Sequence, residues 1–576
     1  LDRYGKWPNL ATMMFAFAAA APGRPMLRAF RDGAWRGTSW GAFARQAASA
    51  ARGLRAAGVS AGDRVVICAE NRPEYVIAET ALMAIRAVPV PAYTTNTVAD
   101  HAHILRDSGA TVAIAANTML AQRLAQAGSL DLLVVMDAEA AAAGPPRILP
   151  WQALVADPAP PDDIMAEAAL IPRDALACVI YTSGTGGTPK GAMLAHRCIL
   201  SNCWGAEELI RPLGLKDEVY LSFLPLAHAF EHTVGQFFLP GLGTEIVFAR
   251  GVEHLAADMA AVRPTIMTVV PRILETIRAR VLAQAARQKP WQQRLFRAAL
   301  AAGVKRAGGQ ALSMPERLAD PLLERLVRRR VRARFGGRLR AVMSGGARLE
   351  PEVGRFFQGL GMVVMQGYGQ TEAGPVIAAN PPDACRIDTV GTALRGVDLR
   401  IADDGEILVR GGLVMDGYWC DPAATAAAIR DGWLHTGDIG TLDAAGYLRI
   451  TDRKKDMIVL SGGENVSPAK IEGMLIAEPE LAQAVVVGDG RAGLTALCVC
   501  AEGYDEVAAS VAVARVNMRL SVTERIRKHA VVGAFTVENG LLTPSQKVRR
   551  GLVVREYAEV LGRLHGGVPS ASRVAE

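Results

Sequence analysis

"YTSGTGGTPKG", residues 181–191, follows the apolar run Ala175–Ile180, and the two together decide how the chain is read. The run reads as a buried strand. The eleven residues after it carry four glycines, four Ser or Thr hydroxyls and one lysine. Successive glycines let backbone N–H groups turn toward an anion, while hydroxyls and a lysine add donors and charge. A plain surface turn has no need of Ser, Thr and Lys together directly after a buried strand. The P-loop is excluded, because its pattern places Gly before the lysine and Ser or Thr after it. Here Pro189 precedes Lys190 and Gly191 follows it. The stretch is a phosphate loop of another kind.

Outward from it, strand-like runs alternate with helical segments. "DRVVICAE" (63–70), "VPVPAY", "TVAIAA" (111–116), "TEIVFA" (244–249), "IMTVVP" (266–271) and "LRAVMSGG" (339–346) are strands in this reading, with "RPEYVIAETALMAIRA" a helix between two of them. Such alternation predicts parallel sheets covered by helices. Residues 275–335 read as a long, basic helical segment. From 397 the texture changes: "DLRIADDGEILVRG" and "YLRITDR" alternate apolar and polar residues around turns, as antiparallel strands do. After "TDRKKD" a short helix (468–476), the strands "AVVVG" (484–488) and "LTALCVCAE", and a terminal helical stretch follow. A chain of 576 residues exceeds one compact core. The boundary is placed at 454/455, giving units of 1–454 and 455–576.

Composition narrows the class. Half the residues are hydrophobic and 21% are charged, as in ordinary globular proteins. The net charge of +7 is concentrated in "ERLVRRRVRARFGGRLR" (324–340), where eight arginines crowd one segment. That segment is either a solvated helix face or a patch for anionic lipid or a phosphate-bearing cofactor. No nucleic-acid-binding motif accompanies it. The eight cysteines form no C-x-x-C pair and several lie in apolar runs, so reduced thiols in the cytoplasm are expected. No apolar run is long enough to span a bilayer. "LATMMFAFAAAAPG" near the start imitates a signal peptide, but an amphipathic first helix is the expected reading.

Further segments follow in a telling order: "QGYGQTE" (366–372), "WLHTGDIG" (433–440), "ITDRKKDMIVLSGGENVSP" (450–468) and "NGLLTPSQKVRR" (539–550). With the glycine loop, they resemble the adenylate-forming superfamily of acyl-CoA synthetases, luciferases and peptide-synthetase adenylation domains. Its loop is usually written YTSGTTGxPKG, and this chain has Gly186 in place of the second threonine. The resemblance spans about residues 181 to 550. It implies an α/β fold: a large N-terminal domain of parallel-sheet α/β subdomains plus a distorted antiparallel β-barrel, and a small mobile α+β C-terminal domain.

It also implies a site. Thr182, Ser183, Gly184, Thr185, Lys190, Gly345, Gly346, Ala347, Gln366, Gly367, Tyr368, Thr371, Asp438 and Arg453 would bind ATP and AMP. A planar ring at Tyr368 suits adenine, with Gln366 at the base edge. Asp438 would accept from the ribose hydroxyls, with Arg453 donating to the same sugar. Thr185 and Glu372 would hold Mg²⁺, a hard cation that prefers oxygen. The catalytic set would be Lys547, Glu372, Thr371 and His228, with Lys547 meeting charge that builds on the α-phosphate. Lys455 would be the interdomain hinge, and Gly462 and Gly463 would line the thiol channel to coenzyme A.

"PLAHAFEH" (225–232) also satisfies the zinc-peptidase pattern H-x-x-E-H through His228, Glu231 and His232. Two histidines four apart share an α-helix face, so metallopeptidase is the rival reading from another class. The same segment, however, resembles the superfamily stretch whose histidine borders the acyl pocket.

No carrier-type segment is attached, which implies a stand-alone ligase. The insertion at 275–340 and the wordings "FGGRLRAVMSGGARL" and "GGENVSP" resemble long-chain fatty acyl-CoA synthetases. The reaction implied is activation of a fatty acid to acyl-AMP, then capture by coenzyme A. The alternative is a fatty acyl-AMP ligase loading a carrier protein. "TVGQFFLPGLGTEIVF" (233–248) is apolar enough to line an acyl channel, and equally suits ordinary core. The partners implied are a fatty acid, ATP and CoA, and no nucleic acid. A homodimer and peripheral contact with an anionic membrane, on the inner face of the cell membrane, are compatible with this reading.

Overall fold

The computed structural model describes residues 4–142, 144–157, 159–182, 188–454, 456–462, 464–543 and 548–565. Ser183, Gly184, Thr185, Lys455, Gly463 and Lys547 lie outside them. The expected parallel architecture is present twice. A five-stranded sheet runs Val88–Ala92, Arg64–Cys68, Val112–Ala115, Leu132–Val135, Arg147–Pro150, all parallel. "VPVPA" can join it because it is the edge strand. Pro89 and Pro91, two apart, both turn their missing N–H away from the neighbour at 64–68.

The larger sheet has nine strands. In spatial order they are Thr392–Ala393, Val376–Ala379, Val363–Gly369, Ala341–Ser344, Ile266–Val269, Val219–Ser222, Glu245–Phe248, Pro25–Arg31 and Ala34–Ser39. The six strands from Val363–Gly369 to Pro25–Arg31 are parallel. Alternate residues face opposite ways along each strand, so the sheet separates two cores. Tyr220, Ile246, Ile266 and Met343 belong to one core, and Leu221, Val247, Met267 and Val342 to the other.

The antiparallel region expected after 397 is a five-stranded sheet of Val397–Ile401, Glu406–Gly411, Trp433–Leu442, Ile429–Arg430 and Leu448–Arg453. Beyond it, Leu481–Val487, Leu494–Cys500 and Ile526–Val531 form a small mixed sheet. Helices Pro468–Ile476 and Glu506–Asn517 cover one face of it and Arg550–Glu556 the other.

Four local readings change. The glycine loop joins two antiparallel strands, Leu176–Thr182 and Lys190–Ala195, so it is a hairpin connection. The helix carrying the H-x-x-E-H residues is a π-helix over Glu231–Phe238, and His228 lies on the bend before it. The two histidine side chains have separate partners, Glu79 for His232 and the Phe230 N–H for His228. The proposed channel segment 233–248 is packed core, with Phe237, Phe238 and Leu239 sealed from solvent. The arginine-rich segment divides in two: Arg328 is wholly buried, paired with Asp320 at 2.5 Å and Glu324 at 2.8 Å, whereas Arg325, Arg329 and Arg330 are exposed.

The signal-like stretch is the helix Leu10–Ala20, started by the Asn9 side chain accepting from the Thr12 N–H. Leu10, Met13, Met14 and Phe15 sit in the main core. All eight cysteines are free thiols, five of them buried. Among the described residues no helix is long and apolar enough to cross a membrane.

Candidate functional site

In open parallel sheets ligands bind beyond the carboxyl ends of the strands, where the strand order reverses. Here the order reverses at Val219–Ser222, whose successor in sequence, Glu245–Phe248, lies on one side and Ile266–Val269 on the other. The predicted residues collect at that end. His228 lies on the connection after Val219–Ser222, Gly345 and Gly346 follow Ala341–Ser344, and Gln366, Gly367 and Tyr368 end Val363–Gly369.

Gly345 packs on the ring of Phe230, close enough that a Cβ there would meet ring atoms at 3.2 Å. Gly346 takes φ of +80°, the left-handed region that glycine tolerates. Ala347 follows it, exposed. This close turn brings the His228 connection beside the 345–347 segment. His228 is half-buried and its Nδ1 accepts from the Phe230 N–H at 3.2 Å.

Tyr368 and Asp438 meet from two different sheets. The Tyr368 hydroxyl donates to Asp438 Oδ2 at 2.6 Å, and Arg453 Nε lies 3.1 Å from Oδ1. Asp438 and Arg453 are cross-strand partners, which is why a rim arginine reaches that carboxylate. Burial, with Asp438 beside it, holds the Tyr368 phenol well above its ordinary range, so it remains a donor. The Asp438 turn is braced from behind. Thr436 Oγ1 accepts from the Asp438 N–H at 3.1 Å, and Glu406 accepts from the Gly437 N–H at 2.9 Å. Asp438 is 6% exposed whereas Arg453 is 45% exposed, so the pair is open on one side only.

A second cluster surrounds Glu372. Its Oε1 accepts from the Tyr418 hydroxyl at 2.8 Å and lies 3.4 Å from Thr182 Oγ1. Thr371 shares the same short 3₁₀ turn, Thr371–Ala373. Lys190 lies 3.5 Å from Asp421 and sits over the Tyr418 ring at 5.4 Å. Thr182 and Lys190 are paired across the hairpin, so the glycine loop between them is fixed at both ends next to Glu372. Tyr418 was missed by sequence reasoning. It reaches Glu372 only because Gly417–Tyr418 pairs antiparallel with Ala192 and Met193, a pairing of two-residue length with no pattern to read. The hairpin is also tied to the first subdomain, where Tyr181 donates to Asp107 at 2.6 Å and His103 Nε2 contacts the Pro189 carbonyl at 2.7 Å.

The H-x-x-E-H residues have other partners. His232 Nε2 is 2.6 Å from Glu79, which also accepts from Gln236 at 2.7 Å. Glu231 is fully enclosed by hydroxyls: Tyr220 at 2.5 Å, Ser222 at 2.6 Å and Thr268 at 2.8 Å. Burial pushes its carboxyl up to about 7, against the hydrogen bonds from those hydroxyls. These side chains serve the core beneath the site.

In the last part of the chain, Gly462 lies on the exposed turn between Ile458–Val459 and Asn465–Val466. The flanks of 544–547 are pinned by a bridge between Leu542 and Val548, and by Arg550 bonded to half-buried Glu472 at 2.8 Å.

A sequence profile of AMP-binding enzymes matches residues 15–419, and one of the AMP-binding enzyme C-terminal domain matches 455–566. The chain is 35% identical to the long-chain-fatty-acid–CoA ligase FadD15 of Mycobacterium bovis over 587 aligned positions, covering 96% of both chains. It is 31% identical to the peroxisomal long chain acyl-CoA synthetase 6 of Arabidopsis thaliana, covering 90% of this chain and 81% of that one. Its fold is similar to that of the o-succinylbenzoate coenzyme A synthetase MenE of Bacillus subtilis in complex with ATP and magnesium ion. That likeness has a TM-score of 0.69 at 21% identity, over 94% of this chain and 98% of the other. The chain belongs to the AMP-binding enzyme family.

Proposed function

We infer that this chain is an AMP-forming long-chain fatty acid–CoA ligase. The observation that carries this reading is that Tyr368, bonded to the Asp438–Arg453 pair, lies four residues before Glu372, whose carboxylate sits beside Thr182 at the start of the glycine loop. That arrangement offers a flat ring, a diol acceptor and a cationic donor beside a loop rich in anion-binding groups. The mycobacterial relative's name supports the substrate class.

In this reading Tyr368, held by its bond to Asp438, presents its ring to adenine. A carboxylate is an acceptor through both oxygens, which suits Asp438 to the ribose hydroxyls. Lys190, Thr182, Thr185 and Thr371 supply donors to the phosphates. Glu372 suits Mg²⁺, since among the described residues its Oε2 accepts no hydrogen bond and its near neighbours are oxygens. When bound, Mg²⁺ would neutralise phosphate charge. The fatty carboxylate attacks the α-phosphorus, the bond to pyrophosphate breaks, and Lys547 meets the growing negative charge. The thiol of CoA then attacks the acyl carbonyl and AMP leaves. The second step needs Lys547 withdrawn and a thiol path past Gly462 and Gly463, so the unit from 455 turns about Lys455.

For the acyl chain, the sealed segment 233–248 is replaced by the opposite face of the large sheet. A cavity of about 20 Å³ lies there, lined by Met267, Val269, Val342, Ile273, Phe335 and Leu339 among others. It is too small for a fatty chain as it stands, so its walls would have to part to admit one. Each buried CH₂ then contributes about 0.8 kcal/mol.

The test is product analysis with ATP, free CoA and a series of fatty acids. Acyl-CoA, AMP and pyrophosphate in equal amounts, with kcat/KM rising from acetate to palmitate, are expected. Acyl-AMP that accumulates unless a carrier protein is supplied would instead favour the carrier-loading ligase. Preference for acetate would remove the long-chain assignment.

A further inference from the structure

The helical insertion carries an outer face that no part of the described chain covers. Met314–Leu323, Glu324–Arg328 and Arg329–Ala333 run on as one helix, started by a Ser313–Glu316 capping box. Residues four apart share a helix face. Met314, Leu318 and Leu322 follow that spacing and are 68%, 79% and 56% exposed. Glu324–Arg328 is π-helical, so the four-residue spacing stops there, but Arg325, Arg329 and Arg330 beyond the apolar stripe are exposed, as is Arg317 within the first part of the helix.

The charges are sorted between the two sides of this helix. Its three carboxylates are all engaged: Glu316 with Lys305, Asp320 with Arg306 and Arg328, Glu324 with Arg328 and Arg332. Among the described residues Arg317, Arg325, Arg329 and Arg330 form no ion pair. The outer face is left apolar along one end and cationic along the other, with no acid free to balance it.

We propose that this face of residues 314–330 docks the protein on an anionic lipid surface, with Met314, Leu318 and Leu322 entering the interface and Arg325, Arg329 and Arg330 meeting lipid phosphates. An apolar stripe flanked by exposed arginines matches a bilayer surface of negative charge in both components. Phe335 and Leu339 follow the helix directly and line the apolar cavity, so docking brings that cavity's wall close to the lipid. The proposal rests on the long-chain reading only for this route, not for the binding itself.

The test is co-sedimentation of the full chain with vesicles of phosphatidylcholine alone, or of phosphatidylcholine with phosphatidylglycerol, without ATP or fatty acid. Binding to the anionic vesicles that weakens steeply with salt is expected. Arg325→Ser with Arg329→Ser should lower the partition coefficient by roughly tenfold or more and flatten the salt dependence. Met314→Ser with Leu318→Ser and Leu322→Ser should lower it at every salt concentration. These side chains are exposed, so thermal midpoints should not move; the wild-type salt dependence tests the proposal independently of any variant. Binding that is absent, equal on neutral and anionic vesicles, or unchanged in both variants would overturn it. So would a wild-type dimer that the apolar triple variant dissolves, since a second copy would then cover the face. Acyl-CoA formation from detergent-delivered palmitate, measured separately, reports on the ligase reading alone.

Discussion

Asp438 and Glu231 are both carboxylates withdrawn from solvent, yet they are enclosed in opposite ways. Glu231 is 0% exposed, and three hydroxyls, from Tyr220, Ser222 and Thr268, close around it. Asp438 is bonded by the Tyr368 hydroxyl and paired with the half-exposed Arg453, at the rim where two sheets meet. A sealed carboxylate, ringed by hydroxyls and shut off from solvent, acts on stability. A rim carboxylate whose cationic partner is half-exposed lies where a ligand can approach it. The difference lies in the partners, since burial alone does not separate the two.

Asp438→Ala should break this comparison most sharply. Losing two hydrogen bonds to a charged acceptor should cost roughly 10²-fold in kcat/KM for ATP, seen in steady-state acyl-CoA formation. Stability should fall only modestly, because the half-exposed Arg453 can turn to water and the Tyr368 hydroxyl alone loses a buried acceptor. A loss confined to thermal stability would place Asp438 with Glu231.

Glu231→Gln should do the reverse. The amide changes one acceptor oxygen into a donor facing hydroxyls, and should cost about 1–3 kcal/mol of stability below pH 5.5 while leaving the KM for ATP unchanged. The pH dependence has a definite sign. The native carboxyl is raised from 4.5 to about 7, so the stability it contributes is present below the unfolded value and is lost as pH rises through about 7. Wild-type midpoints should therefore fall between pH 5.5 and 8 more than those of Glu231→Gln, measured by calorimetry. Parallel curves would show that Glu231 is ionised throughout.

Tyr368→Phe gives the smallest expected effect. It keeps the ring and removes one donor to Asp438, which should raise the KM for ATP roughly three- to tenfold. No change would mean that the ring alone positions the base.

Much of this fold was legible because its strands are short apolar runs between helices. The runs at 64–68, 112–115, 245–248, 266–269 and 341–344 are strands, and the helix expected at 468–476 has those bounds. Strands Pro25–Arg31, Ala34–Ser39 and Ile526–Val531 were not anticipated. "AWRGTS" and "IRKHAV" carry too many polar and charged residues to look like strands, and they form because a neighbour already offers its edge. The π-helix was invisible because its sequence has ordinary helical periodicity, and no residue pattern in it marks the wider turn. At the site, Tyr368, Asp438, Arg453 and Glu372 were named from motifs. Tyr418, Thr436 and Glu406 were not, because each acts through a contact that only tertiary pairing creates.

The most direct measurement is fatty-acid-dependent exchange of labelled pyrophosphate into ATP, run without CoA on wild type, Asp438→Ala and Glu231→Gln below their melting ranges. It isolates acyl-adenylate formation at the rim from everything that follows. Palmitate-dependent exchange in wild type, lost by about two orders of magnitude in Asp438→Ala and kept within a few-fold in Glu231→Gln, is expected. Absence of exchange in wild type, or equal exchange in wild type and Asp438→Ala, would contradict the assignment of this site to adenylation.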